Sequence, residues 1–456
     1  MQERPVLSDR QINNELLDFV LHTPIWFWGL LLLLGLVFGA GFIAVVYLIA
    51  TGVGVWGENW PVMWAFEITN FVFWVGISHA GVMISAILRL TQAEWRRPVT
   101  RAAEVLTVFA LATAALHPAI HVGRFWRVIY WVFPYDFFRG IWPNVRSPLI
   151  WDPSAIFTYL TGSSLFIYSV LIPDLAVARD RSTGWRRKFY GILALGWRGN
   201  PRQWRLQTLA GILLSGLILP VFVSVHSIVS FDFAMALVPG WHSTVFAPYF
   251  VIGAVWSGVA AVATLMAILR FLFKLHNYIR PDHFDALGRL LLVVGNAWFY
   301  FFVLDFIFGL FGREDTEVNI WQARIFEWPF NVLFIVFLLT AYILPVPLLM
   351  MRSVRRSVTM MFLTSLLINI GMWLERYILI VPALQYKQVL QFSWSTYQPQ
   401  LPEWGLVIGS FGLVALGVFL FAKIFPIIPI YEQKESQVFA AEIKVGKVTV
   451  PGVIRE

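Results

Sequence analysis

The chain has 456 residues, of which 59 % are hydrophobic and only 13 % charged, with a formal net charge of +8. Soluble domains carry about 25 % charge, so a soluble multidomain enzyme is excluded, and the positive balance reads as the orienting charge of a membrane protein rather than a nucleic-acid surface. Cysteine is absent, which removes disulfides, thiolate metal sites, CxxCH haem attachment and iron–sulfur ligation by this chain.

Residues 1–25 hold four acids and two arginines before any apolar run, unlike a cleaved signal peptide. Ser8-Asp9-Arg10-Gln11 has the form of a capping box. It should open a short helix with Ile12, Leu16, Phe19 and Val20 on one face, ended by Pro24, and such a helix suits a membrane interface or a partner. Ten apolar stretches follow, near 26–50, 62–90, 100–117, 152–178, 206–230, 248–273, 287–311, 325–350, 357–382 and 404–429. Each is close to the ~20 residues that a helix needs to cross the hydrocarbon layer. The fold class is therefore all-α, a polytopic membrane protein with ten transmembrane helices. With the N-terminus placed inside, 26 of the 34 Lys and Arg fall on the cytoplasmic side and seven on the other. The positive-inside rule then puts both termini in the cytoplasm. The organisation reads as an N-terminal segment 1–25, a membrane domain 26–430 and a polar tail 431–456. The tail alternates weakly around Glu442–Val445 and Lys447–Val450, as a small ribbon would, and carries no catalytic motif.

Ionisable groups inside a span are costly, about 2.5–3.5 kcal/mol each at the helix centre, and so mark functional candidates. His121 follows the outer end of span 3, Asp152 opens span 4, Asp232 lies just past span 5, and Arg376 sits near the outer end of span 9. Four remote segments thus bring His, Asp, Asp and Arg to one face. Each has a bland alternative. Asp152-Pro153 reads as an N-cap followed by proline at the first helical position; His121 and Asp232 read as loop residues; Arg376 can snorkel. Neighbours on a helix point about 100° apart, so Glu375 is not expected to neutralise Arg376, and Asp152 is the expected anion. Deeper lie Glu67, Asn70, His79, His226, Asn296, Asp305 and Asn369. Glu67, His79, Asp305 and Glu375 are candidates for a proton path, whereas the asparagines suit interhelical hydrogen bonds.

Three motifs mislead. Gly52-Val-Gly54-Val-Trp-Gly57 matches G-x-G-x-x-G but ends a membrane helix and follows no strand, so it is not a dinucleotide site. His117 and His121 are spaced like two ligands on one helix face, but Pro118 is expected to interrupt that geometry. The aromatic run Phe125–Tyr135 suits an interfacial belt or a greasy entrance.

Several outer-face stretches carry a resemblance. They are His117-Pro-Ala-Ile-His121-Val-Gly-Arg124, Pro143-Asn-Val-Arg-Ser-Pro-Leu-Ile-Trp-Asp152, Leu171-Ile-Pro-Asp174-Leu-Ala with Arg179-Asp180, Ser227-Ile-Val-Ser-Phe-Asp232 and Pro239-Gly-Trp-His-Ser-Thr. Together they resemble the NrfD/polysulfide-reductase membrane subunits, and within them the ActC-type subunit of bacterial alternative complex III. The resemblance implies two four-helix bundles, spans 2–5 and 6–9, with spans 1 and 10 as additions. It implies a subunit of the bacterial inner membrane that binds quinol, menaquinol by expectation, near the periplasmic face. No haem or iron–sulfur cluster is expected on the chain itself. The implied partners are a periplasmic iron–sulfur protein, a second NrfD-like subunit, multihaem cytochrome c and small membrane subunits. By motif match the quinol-site residues would be His121, Asp152, Asp232 and Arg376.

The expected chemistry is quinol oxidation. His121 would take a hydroxyl proton, oriented by Asp152; Arg376 would offset negative charge; Asp232 would pass the proton to water. Two rival readings are a proton-translocating module without redox chemistry, worked by Glu67, His79, Asp305 and Glu375, and a structural anchor for peripheral subunits.

Overall fold

The computed structural model describes residues 7–124, 126, 140, 145–241, 243–387, 394–438, 442–446 and 448–451. The aromatic run 125–135 lies outside them, apart from Trp126. Among the described residues ten helices are long and apolar enough to cross a membrane. Spans 1 to 5 are Ile25–Thr51, Phe66–Leu90, Thr100–His121, Pro148–Arg181 and Pro201–Ala234. Spans 6 to 10 are Phe246–Leu272, Pro281–Phe311, Phe330–Met350, Val358–Gln385 and Leu401–Ile424. Each overlaps one of the ten predicted stretches.

The boundaries differ most where polar residues continue a helix. Spans 4 and 5 each run 34 residues, about 51 Å at 1.5 Å per residue. They exceed the ~30 Å hydrocarbon thickness. This moves two site residues. Span 4 starts at Pro148, with Ser147 at the cap position, so Asp152 sits one turn inside the helix and caps nothing. Span 5 continues to Ala234, so Asp232 is a helical residue rather than a loop acid. Span 3 likewise passes through Pro118 to His121. Neighbouring helices compensate a membrane proline, and the predicted interruption between His117 and His121 does not occur.

Span 2 packs on span 3, span 4 on span 5, and spans 7 and 9 on span 6. Span 2 also lies along span 6, which joins the two halves of the molecule. Span 1 lies along span 10 on a glycine seam. A β-carbon on Gly41 would come within 2.7 Å of the Gly409 Cα, so small residues set this approach. The other side of span 1 is bare apolar surface, including Leu32, Leu33 and Leu36. Spans 2 and 8 each contain a widened π-turn, at Met83–Ile87 and Leu339–Ile343. A π-turn displaces carbonyls from their helical partners, and the Ala341 carbonyl accepts instead from Trp256 Nε1 at 3.2 Å.

Ten crossings bring the first and last described segments, near the helices Asp9–Leu21 and Ile430–Val438, to one end of the stack, called here the terminal end. The N-terminal helix Asp9–Leu21 is capped by Ser8, whose Oγ accepts from Gln11 N at 3.3 Å. Its apolar face is not left for a lipid surface or a partner, because Ile12, Leu16, Leu17 and Val20 are buried within the chain. Lys423 of span 10 donates to the Phe19, Val20 and His22 carbonyls at its C-terminus, neutralising the helix dipole. After span 10 the chain turns back beneath spans 2–4. Pro426 O accepts from Arg101, Tyr431 N donates to Asp174, and Glu432 accepts from Arg89 and Arg96 at 3.1 and 2.9 Å. Beyond the helix Ile430–Val438, residues Glu442–Val445 and Val448–Pro451 pair as a two-stranded antiparallel ribbon.

Candidate functional site

At the end opposite the termini, span 2 begins with Phe66-Glu67 and span 3 ends with His117 and His121 one turn apart. Glu67 is fully buried between the two imidazoles. His117 Nδ1 is 3.0 Å from its Oε1. His121 Nδ1 is 3.2 Å from Oε2, off the line of a well-aligned hydrogen bond. His117 is buried, whereas the His121 side chain is 23 % exposed. An imidazole with one edge open and a buried carboxylate behind it is set to exchange protons. The carboxylate beside His121 is therefore Glu67 and not, as expected, Asp152.

Asp152 of span 4 and Asp232 of span 5 lie against each other, and one oxygen of each is buried without a hydrogen-bond partner. Arg376, expected to seek Asp152, is bound to Glu375 at 2.8 Å. The two atoms, Arg376 Nη1 and Glu375 Oε2, are off the line of a well-aligned hydrogen bond, and both groups are nearly sealed from solvent. Glu375 also accepts from Trp298 Nε1 at 2.9 Å and from the Tyr249 hydroxyl.

The three polar groups are separated by aromatic rings and not hydrogen-bonded together. Trp64 meets His121 edge-on at 6.4 Å and Phe233, next to Asp232, at 5.7 Å. Phe250 touches Phe233 at 5.7 Å and carries the Arg376 guanidinium 4.8 Å above its ring. Trp56 also stacks on His121, at 6.3 Å. Trp64, Phe233 and Phe250 thus form a continuous aromatic wall from His121 to Arg376. Phe233 and Phe250 are sealed in the core, so only the His121 end of this chain of rings, where the imidazole is part-exposed, is open to a flat, greasy ring.

The remaining candidates lie elsewhere. His79 is buried at mid-depth, with Nε2 3.1 Å from Phe222 O and its ring 4.6 Å from that of His226. Asp305 hydrogen-bonds Ser243 and feels the buried Arg324. Asn70 and Asn296 join helices as expected, through Ser410 and Tyr342. Asn369 instead donates to Ser365 O of its own helix.

Two acids were missed by sequence. Glu58, in the turn before span 2, is half-buried and feels His121, Glu67 and Glu403. Burial first, and then the two acids, raise its pKa to about 8 against the pull of His121. Glu403 of span 10 is fully buried and accepts from Gly57 N at 2.7 Å and Tyr397 Oη at 2.6 Å. Gly57 has no room for a side chain, because a β-carbon would meet the Gln398 carbonyl at 1.8 Å. Of the G-x-G-x-x-G glycines, Gly57 serves this close approach, while Gly52, at φ 94°, ends span 1.

A family model described as polysulphide reductase, NrfD, matches residues 54–387. The chain belongs to the NrfD family. The matched region contains all of spans 2–9, and spans 1 and 10 lie outside it. Two curated relatives share low identity over most of their length. One subunit of the selenate reductase of Mesobacillus selenatarsenatis is 21 % identical over 82 % of this chain and 87 % of its own. A putative dimethyl sulfoxide reductase membrane subunit of Halobacterium salinarum is 23 % identical over 85 % and 92 %. This NrfD chain is thus a multi-pass membrane protein related to membrane subunits of oxidoreductase complexes.

Proposed function

We propose that this NrfD subunit oxidises quinol at the end of the bundle opposite its termini and passes the electrons to an iron–sulfur partner docked there. The observation that carries the reading is His121, its outer edge open and Glu67 buried behind it, at one end of an aromatic wall that runs to Arg376. Loss of two electrons and two protons converts quinol to quinone. The electrons leave one at a time to the partner's cluster, so the chain alone does not turn over. One proton goes to His121 Nε2, with Glu67 balancing the imidazolium. The second goes to the Asp152–Asp232 pair, whose two unpartnered oxygens can hold it between them. Arg376 lies at the far end of the wall, with its charge balanced by Glu375.

Both relatives are named as subunits of reductases, which draw electrons from a donor, and this supports oxidation rather than reduction of quinol. The positive-inside count supports a periplasmic position for the site. The Ser147–Asp152 stretch supports an ActC-type assignment, with menaquinol as substrate and a second NrfD-like subunit and multihaem cytochrome c in the complex. The test is quinol-driven reduction of an acceptor by the intact complex. His121→Ala and Asp152→Asn should assemble and lose turnover; wild-type turnover in either ends this assignment.

A second reading, coupled proton translocation, has its own support. Arg101, Asp174, Glu104 and Ser85 form a buried polar group near the terminal end of spans 2–4. Ser78, Tyr159, His79 and His226 continue it at mid-depth. Proton release per electron in vesicles tests it: unchanged stoichiometry in Glu67→Gln and Asp305→Asn removes both from a path.

A further inference from the structure

The hydrogen bonds behind Glu67 run in one direction only, and that direction can be read from the heavy atoms. Ser410 of span 10 has a single hydroxyl hydrogen, committed to the Val407 carbonyl at 2.6 Å. Its other contacts must then donate to it. These are Trp74 Nε1 at 2.8 Å and Asn70 Nδ2 at 2.8 Å. Turning the Asn70 amide over would set its oxygen against an oxygen that has no hydrogen to give. It would also set its nitrogen against the indole N–H of Trp373, which now points at Asn70 Oδ1 from 3.4 Å. The second hydrogen of Asn70 Nδ2 faces His117 Nε2 at 3.3 Å. That nitrogen accepts and carries no hydrogen. His117 therefore holds its hydrogen on Nδ1, where it donates to Glu67 Oε1 at 3.0 Å.

We infer that Asn70 is a positioning residue. Anchored by Ser410 and Trp373, it locks His117 into the Nδ1–H tautomer, so that Glu67 gives one oxygen permanently to His117 and keeps the other for His121 alone. The consequence is asymmetric. Two imidazoles flank one carboxylate, but the lock removes His117 as a competing base and leaves His121 as the group that changes its proton count. Spans 2, 3, 9 and 10 all contribute, so span 10, which lies outside the family match, helps to build the site. The direction of the hydrogen bonds stands on geometry; its service to the site rests on the quinol reading above.

The test is nitrogen-15 NMR of histidine-labelled complex, with His117 assigned as the resonance lost in His117→Gln. Wild type should show a bare Nε2 and a hydrogen on Nδ1. Asn70→Asp replaces the donor by an acceptor and should place a hydrogen on Nε2 as well, since Glu67 keeps the one on Nδ1. Ser410→Ala, which keeps Asn70 but frees it to turn, should give a mixture of the two forms and serves if the first variant does not fold. A wild-type ring with hydrogen on Nε2, or a spectrum unmoved by both variants, overturns the lock. Quinol turnover is measured on the same samples. A hydrogen on Nε2 with at least a tenfold loss supports the lock's service to His121. A hydrogen on Nε2 with wild-type turnover overturns that service, while the His121→Ala assay separately decides quinol oxidation.

Discussion

Arg376 is ion-paired with Glu375, the residue before it in the chain, at 2.8 Å, with both side chains at most 3 % exposed. The pair is local in sequence, yet it is held from outside its helix. Tyr249 of span 6 and Trp298 of span 7 donate to Glu375, and Phe250 of span 6 lies under Arg376. It ties spans 6, 7 and 9 together at the end where the aromatic wall ends.

Removing one member of such a pair leaves a buried charge without its counter-ion, a loss of about 3–5 kcal/mol. Glu375→Gln should therefore lower the thermal midpoint of the purified protein well below that of an exposed-residue control. The double variant Glu375→Gln/Arg376→Met should recover part of the loss, since it leaves no unpaired charge. If the double variant is no more stable than the single one, the ion pair is not what holds this corner.

Glu67→Gln keeps the shape of the carboxylate but sets an amide N–H against one of two ring donors. A site that needs a counter-ion for His121 should lose quinol oxidation by on the order of a hundredfold, the usual scale for a positioned acid–base group. Assembly, followed by co-purification of the partner subunits, should be unchanged. Wild-type turnover in the variant would show that the Glu67 charge plays no part.

The ten spans were legible because an apolar run near 20 residues has few alternatives in a protein, and the loop charges fixed their alternation. The face shared by His121, Asp152, Asp232 and Arg376 followed from that alternation alone. Partners were harder to read. The sequence pairs Arg376 with Asp152 because helical neighbours diverge by about 100°, but a long side chain can close that angle when packing forces it. Pro118 marks a break in water, whereas the packed helices around span 3 carry it through, and so the His117–His121 spacing looked like a decoy. Glu58 and Glu403 carry no signal at all, because they sit at span edges where acids are ordinary. Their burial comes from the turn between spans 1 and 2 folding over span 10, a contact between residues more than 340 positions apart.

The raised Glu58 carboxyl makes a prediction with a definite sign. Burial, its largest cause, takes the pKa from 4.5 to about 8. The folded protein therefore holds a proton there that the unfolded chain releases above pH 4.5. The folded state binds more protons in that window, so the contribution of Glu58 falls as pH rises from 4.5 to about 8. Glu58→Gln should remove this slope: the variant's thermal midpoint should equal wild type near pH 4.5 and exceed it at pH 8.5. A difference between the two proteins that stays constant over that range would show Glu58 titrating as a free acid.

Glu432 behaves in the opposite sense. Burial alone would raise its pKa, but Arg96, Arg89 and Arg97 outweigh burial and hold it below 4.5. Its folded-state pKa is thus the lower one, so its contribution is complete above pH 4.5 and drains away as pH falls below that value. The carboxylate meets Arg89 and Arg96 while its own carbonyl takes Arg97 at 3.0 Å, so its loss exposes three arginines to one another beneath spans 2 and 3. Glu432→Gln should cost about 3–5 kcal/mol at neutral pH, and the cost should shrink as pH is lowered through 4. The same change should free the C-terminal segment, which limited proteolysis at neutral pH would register as cleavage near residues 426–438. A variant as resistant to protease as wild type would mean that Tyr431 and Pro426, through Asp174 and Arg101, hold the segment without Glu432.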